Sequence, residues 1–148
     1  MASAMGCIFC RIVAGEVAAA TVFEDEHTLA FLDHRPLFPG HCLLIPKAHY
    51  ETLTDLPEEL TGPLFQNARL IAGAMEQALA SDGSLVAVNN RVSQSVPHLH
   101  IHVVPRRKKD GLRGFFWPRQ KYESADEMAR VRDSLREGIR RIRAGESG

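Results

Sequence analysis

The chain has no run of apolar residues long enough to cross a bilayer. Its first residues, Met1-Ala2-Ser3-Ala4-Met5-Gly6, have neither a basic n-region nor a long apolar stretch, so no signal peptide is expected. Cysteine is scarce: three residues, an odd count, which suits a reducing compartment better than a disulfide framework and points to the cytoplasm. There is one tryptophan and there are two tyrosines, no aromatic is interleaved with the basic run Arg106-Arg107-Lys108-Lys109, and no nucleic-acid motif is present. Specific nucleic-acid and membrane partners are therefore not expected. A glycine-rich phosphate loop is also missing, so any phosphate site must be made from side chains and loop amides. No repeat and no interdomain linker interrupts the chain, and residues 1–148 read as a single domain.

What is present is ordinary globular material, with 45% apolar and 24% charged residues. That length buries a real core without disulfide staples. Net charge is zero but unevenly spread. Residues 1–105 hold 5 Lys and Arg against 11 Asp and Glu, and residues 106–148 hold 13 against 7. The arginines beyond Arg130 read as a solvated basic helix. Arg106-Arg107-Lys108-Lys109 stands apart, because it follows directly on a histidine-rich strand and can attract phosphates.

Cys7 to Val13 reads as a short helical turn. Strands are expected at Thr21–Glu24, Thr28–Leu32, His41–Ile45, Leu85–Asn89 and Leu99–Val104. Asp55 with Glu58 three residues on has the form of a helix start. Leu60, Leu64, Ala68, Ile71, Met75 and Leu79 then recur at helical spacing until Gly83, with Pro63 a point of kinking. Residues 106–122 are irregular around Phe115-Phe116-Trp117-Pro118. Ser124 and Glu127 form a second capping box, and Met128, Val131, Leu135, Ile139 and Ile142 give the last helix, Ser124–Arg143, an apolar stripe. The tail Gly145–Gly148 should fray. About five strands and two long helices, not in strict alternation, predict an α+β fold on a mainly antiparallel sheet.

The most informative segment is Pro97-His98-Leu99-His100-Ile101-His102-Val103-Val104. Side chains alternate faces along a strand, so the three histidines share one face and Leu99, Ile101 and Val103 the other. Imidazole suits nucleophilic attack, proton transfer and metal ligation near neutral pH. Three on one face, backed by an apolar face, are not explained by packing.

The pattern His-apolar-His-apolar-His-apolar-apolar resembles the signature of the histidine triad (HIT) superfamily of nucleotide hydrolases and transferases. Pro39-Gly40-His41-Cys42-Leu43-Leu44-Ile45-Pro46-Lys47-Ala48-His49, Cys7–Glu16 and Thr28–Asp33 also resemble segments of that family, and the likeness covers most of residues 7–106. It implies a HIT-like fold with a core at about 7–106 and a C-terminal basic segment and helix at 107–144. It implies that His100 attacks the α-phosphorus of a purine nucleotide or dinucleotide, forming a covalent nucleotidyl-histidine that water then releases. His102 and His41 would bind phosphoryl oxygens and assist the leaving group. Asn89, Gln94 and Ser95 would contact the phosphate, and Asp33 the ribose. Ile8, Phe9, Ile12 and Phe31 would form the base pocket. One ring nitrogen of His100 should be held by a backbone carbonyl.

Cys7-x-x-Cys10 fits zinc sites and redox centres alike. A thioredoxin-like reading would need a βαβ context that is missing. The resemblance adds His49 and His98, giving four ligands for a structural Zn²⁺, while the chemistry itself needs no cofactor. It further implies a homodimer. Val104-Pro105-Arg106-Arg107-Lys108-Lys109 is similar to the fragile-histidine-triad-like branch, which cleaves dinucleoside polyphosphates. A nucleoside phosphoramidase or aminoacyl-adenylate hydrolase is the alternative activity, and a non-catalytic nucleotide-binding regulatory protein is the alternative from another class.

Overall fold

Alternating apolar residues fold into one sheet in the computed structural model, which describes residues 6–113 and 119–145. Its strands are β1 (Thr21–Glu24), β2 (Thr28–Leu32), β3 (Cys42–Pro46), β4 (Gly83–Val88) and β5 (Ile101–Arg106). They lie in the order β1-β2-β3-β5-β4, and every neighbouring pair is antiparallel. The α+β class with a five-stranded antiparallel sheet is therefore what the chain adopts. Helix α1 spans Ile8–Val13, α2 Glu58–Ala78 and α3 Ala125–Arg143. The chain divides into two units, Met1–Asp110 and Gly111–Gly148, each described by itself.

In the first unit the apolar stripe of α2 buries Leu64, Ala68, Ile71 and Met75. These side chains form one core cluster with Ala30, Cys42, Leu44, Leu99, Ile101 and Val103. A second cluster gathers Cys7, Phe9, Leu29, Phe31, Leu43 and Ile45. Alternation along β2 and β3 assigns the two clusters to opposite faces of the sheet. One face therefore packs on α2 and the other on α1. Asn67 of α2 ties the helix to the β1–β2 turn, donating to Asp25 at 2.8 Å and to the Thr28 hydroxyl at 2.9 Å.

The bounds of β3 and β4 shift by one or two residues from the expectation, and three further differences have an identifiable cause. Asp55 does not cap α2. Its carboxylate accepts from the Thr52 amide at 3.0 Å and the Thr52 hydroxyl at 2.7 Å, closing a box around a short 3₁₀ turn, Leu53–Asp55. Pro57 then stands at the N-cap, and α2 continues through Pro63. At its other end α2 stops at Ala78, where Ala80 turns to a positive φ of 52°, and Gly83 opens β4 instead. Strand β5 starts at Ile101, not Leu99, because the Leu99 amide donates to the Tyr50 carbonyl at 2.7 Å rather than to a neighbouring strand.

In the second unit the Ser124 hydroxyl accepts from the Glu127 amide at 3.0 Å and starts α3. No side chain of α3 is buried, and its stripe is open, with Leu135 63% and Ile142 76% exposed. Phe115-Phe116-Trp117-Pro118 lies outside the described residues. Among the described residues no helix is long and apolar enough to cross a membrane.

Candidate active site and metal centre

β5 and the extended residues before it carry the three histidines. His102 pairs across to Leu43 of β3 and Ala87 of β4, so it projects on the α1 face. His98 and His100 are buried and His102 is half-buried. The ring of Phe9 meets His100 edge-on at 5.3 Å and His98 at 5.8 Å, and also packs on Phe31 at 5.4 Å. The rings of His100 and His102 stand 4.9 Å apart.

Hydrogen bonds to the main chain decide which nitrogen of each ring is available. His100 Nδ1 lies 2.8 Å from the His98 carbonyl oxygen. A carbonyl only accepts, so Nδ1 carries the proton and Nε2 keeps a lone pair. His98 is held the other way round. Its Nε2 lies 2.9 Å from the Pro46 carbonyl, which leaves the lone pair on Nδ1. His41, buried immediately before β3, accepts a bond from the Leu37 amide at Nδ1 (3.0 Å). Its Nε2 is 3.0 Å from His102 Nδ1 and 3.8 Å from Asp33 Oδ2.

Burial dominates the protonation of these rings. It pushes His102 down to about 4, helped by the neighbouring His100 and His41, with Asp33 opposing. It also pushes His98 down to about 4 and holds His41 below the ordinary imidazole value, again against Asp33. All three rings are therefore neutral at pH 7.

On the other side of His98 lies a group of four donors. Cys7 Sγ is 3.3 Å from His98 Nδ1, and Cys10 Sγ is 3.3 Å from His49 Nδ1 and 3.6 Å from His98 Nδ1. All four donor atoms lie within 4.8 Å of one another. A zinc ion with ordinary Zn–S and Zn–N bonds in a regular tetrahedron sets S···N edges of about 3.5 Å. The cluster already has that size, and its two thiols and two imidazoles suit the ion. The Pro46 carbonyl supplies the outer contact that orients a ligating histidine. Without a cation the thiols oppose each other: burial, then the hydrogen bond and charge of Cys7, push Cys10 up to about 11. Cys42 is a separate buried thiol, whose Sγ donates to the Gly40 carbonyl.

The remaining expected site residues are placed unequally. Asp33 stands beside His41, and its Oδ1 accepts from the Arg35 amide at 2.9 Å. Ile8 is exposed and Ile12 half-buried, whereas Phe9 and Phe31 are buried core residues. Asn89 and Ser95 are exposed. The side chain of Gln94 ties its loop to the segment after β3, accepting from the Arg91 amide at 2.8 Å and donating to the Glu51 carbonyl at 2.6 Å. The basic run leads away from the histidines. Arg106 is four residues beyond His102 at the far end of β5, a distance of about 13 Å along a strand. There Arg106 pairs with Asp110 at 2.6 Å, and Arg107 donates to the Leu79 carbonyl. Chain adjacency thus does not bring this run to the triad. Three contributors escaped the sequence reading: the Leu37 amide, the Pro46 carbonyl and the Asn90 side chain, which accepts from the Leu53 amide at 2.8 Å. The first two are main-chain groups, for which no residue pattern gives a signal.

A five-stranded antiparallel sheet that sets three alternating histidines beside a fourth from the neighbouring strand defines a class. The HIT domain family model matches residues 14–109, and the chain belongs to that family. It is 35% identical over 132 residues to the adenosine 5'-monophosphoramidase HNT1 of Saccharomyces cerevisiae, spanning 87% of this chain and 80% of that protein. Among solved structures, a HIT family protein from Bacillus anthracis superposes with a TM-score of 0.82 at 31% identity, covering 92% of this chain and 99% of its own. A zinc-bound histidine triad family protein from Mycobacterium smegmatis superposes with a TM-score of 0.71 at 36% identity, covering 97% of this chain and all (100%) of its own.

Proposed function

We propose that this protein is a hydrolase that cleaves nucleoside 5′-phosphoryl compounds at the α-phosphorus through a covalent nucleotidyl-His100 intermediate. The carrying observation is the 2.8 Å bond between His100 Nδ1 and the His98 carbonyl. It leaves the Nε2 lone pair unprotonated and keeps an acceptor in place for the charge that develops. When Nε2 bonds to phosphorus, the bond to the leaving group breaks and its electron pair departs with that group. The ring becomes cationic, and its Nδ1–H strengthens the bond to the carbonyl. Water then attacks the same phosphorus, returns His100 to its neutral form and frees the nucleoside monophosphate. Splitting one displacement into two is the gain from covalent catalysis.

His102 flanks the phosphorus as a neutral hydrogen-bonding group with His41 holding it from behind, Asp33 faces the ribose, and Ile8 and Ile12 offer apolar surface to a purine. Phe9 and Phe31 support that surface from the core. Asn89 and Ser95 are exposed and free to turn to phosphate, while Gln94 contributes by holding their loop. The leaving group we favour is the polyphosphate part of a dinucleotide. The second reading, a phosphoramidate or aminoacyl-adenylate, is supported by the likeness to a yeast phosphoramidase.

Zn²⁺ at Cys7, Cys10, His49 and His98 would be structural, since His98 offers it the nitrogen that His100 does not need. Two copies would assemble through an edge of the sheet, where β4 ends the strand order and leaves Val86 44% exposed. Free cysteines suit a reducing cytoplasm.

Turnover of diadenosine triphosphate and tetraphosphate, set against adenosine phosphoramidate, tests the reading, with His100→Gly as the control. AMP release that the variant abolishes supports it. Binding of all three without cleavage would replace it with a regulatory role.

A further inference from the structure

The bond between the Leu37 amide and His41 Nδ1 has a direction. A backbone N–H only donates, so His41 Nδ1 must hold a lone pair. The neutral ring then carries its proton on Nε2. That nitrogen faces His102 Nδ1 at 3.0 Å, which must accept. The proton of neutral His102 is left on Nε2, the nitrogen turned away from His41. One main-chain amide thus sets two rings in series.

We propose that the Leu37 amide is a tautomer lock, and that it selects substrates whose leaving group departs as a stable anion. The proposal rests on the hydrolase reading above. Leu37 acts through His41, so it is a positioning residue. Its amide keeps His102 a fixed hydrogen-bond donor at Nε2 and prevents it from becoming a proton donor. A second proton on His102 would have to sit on Nδ1, where the His41 Nε2–H already points. His41 would have to carry its own proton on Nδ1 instead, setting two N–H groups against each other at 3.0 Å. A terminal phosphate or polyphosphate expelled from an anhydride takes the P–O electron pair and needs no proton. An amine expelled from a phosphoramidate does need one. The locked pair therefore favours phosphoric anhydrides over phosphoramidates.

The first measurement is long-range ¹H–¹⁵N NMR on the full-length, histidine-labelled protein at pH 7, which separates protonated from bare ring nitrogens. His41 and His102 should each be protonated on Nε2 alone. A proton on His41 Nδ1 overturns the proposal, with no variant required. Leu37→Pro then deletes the N–H, while Leu37→Ala keeps it and trims a side chain that is 54% exposed. Leu37→Ala should preserve both tautomers and the substrate ratio. Leu37→Pro should populate Nδ1–H on His41. It should also raise kcat/KM for adenosine phosphoramidate at least about tenfold relative to diadenosine triphosphate, a change of about 1.4 kcal/mol in barrier difference. An altered tautomer with an unchanged ratio would overturn the link to the leaving group. A protein whose tautomers are locked but which cleaves neither substrate would instead refute the hydrolase reading and leave the lock standing.

Discussion

Two histidine clusters sit side by side on one face of the sheet, and they divide the work of a single strand. His98 gives its Nε2–H to Pro46 and keeps Nδ1 for the thiol cluster. His100, two residues on, gives its Nδ1–H to His98 and leaves Nε2 with the lone pair that the proposed attack on phosphorus needs. The residue type is the same and the burial is the same, so the difference lies in which carbonyl each ring meets. The partners complete the contrast. Cys7, Cys10 and His49 form a compact donor set of tetrahedral size. Asp33, His41 and His102 are also within 4.8 Å of one another, but the Leu37 amide puts a proton on the nitrogen that a metal would need. Softness and lone pairs suit one cluster to a metal ion, and directed protons suit the other to the phosphate role proposed for it.

The sharpest way to break this division is to remove the proposed nucleophile. His100→Ala should lower kcat by at least about 10⁴-fold, as loss of a covalent nucleophile does elsewhere. Bound zinc should be unchanged, and zinc quantification on the same sample checks that. The mirror experiment is Cys7→Ser with Cys10→Ser. Zinc content should fall from one per chain toward zero and the melting temperature by about 10 °C or more, while turnover per folded molecule persists well below that temperature. Loss of turnover in the still-folded variant would merge the two clusters into one functional unit. Phe9 touches both, at 5.3 Å from His100 and 5.8 Å from His98. Phe9→Ala should therefore cost about 3–5 kcal/mol in denaturant unfolding and weaken zinc retention and turnover together.

The smallest expected effect is the pH dependence of the phosphate cluster. Folding depresses His102 from 6.5 to about 4. Between those values the unfolded chain binds more protons than the folded one, so stability falls as pH drops through that window and is level above it. The share of His102 is at most about 3 kcal/mol. Urea unfolding at pH 7 and pH 5 should show the loss, and His102→Asn should reduce the gap between the two. A gap of the same size in the variant would assign the acid sensitivity to other groups.

Much of this was legible from short-range rules. Period-two alternation placed His98, His100 and His102 on one face, because the pleat leaves no other choice. Period 3.6 marked Leu64, Ala68, Ile71 and Met75 as the buried side of α2. Ser124 announced α3 through its hydroxyl. The differences came where another partner, near or far along the chain, took a group that the short-range pattern assigned elsewhere. The Tyr50 carbonyl took the Leu99 amide and delayed β5. Thr52 took Asp55 from the helix start. Asp110 and Leu79 took Arg106 and Arg107, which chain order sets next to the histidine strand.

The sequence by itself pointed to the family and to an antiparallel sheet of about five strands, because those follow from residue order and alternation, while the make-up of the two clusters came from the family resemblance. Only the tertiary structure decided which nitrogen of each ring is free. That choice belongs to the Pro46 carbonyl, 52 residues from His98, and to the Leu37 amide behind His41. Main-chain donors and acceptors are identical at almost every position in a chain, so nothing short of the folded backbone says which of them a histidine will meet.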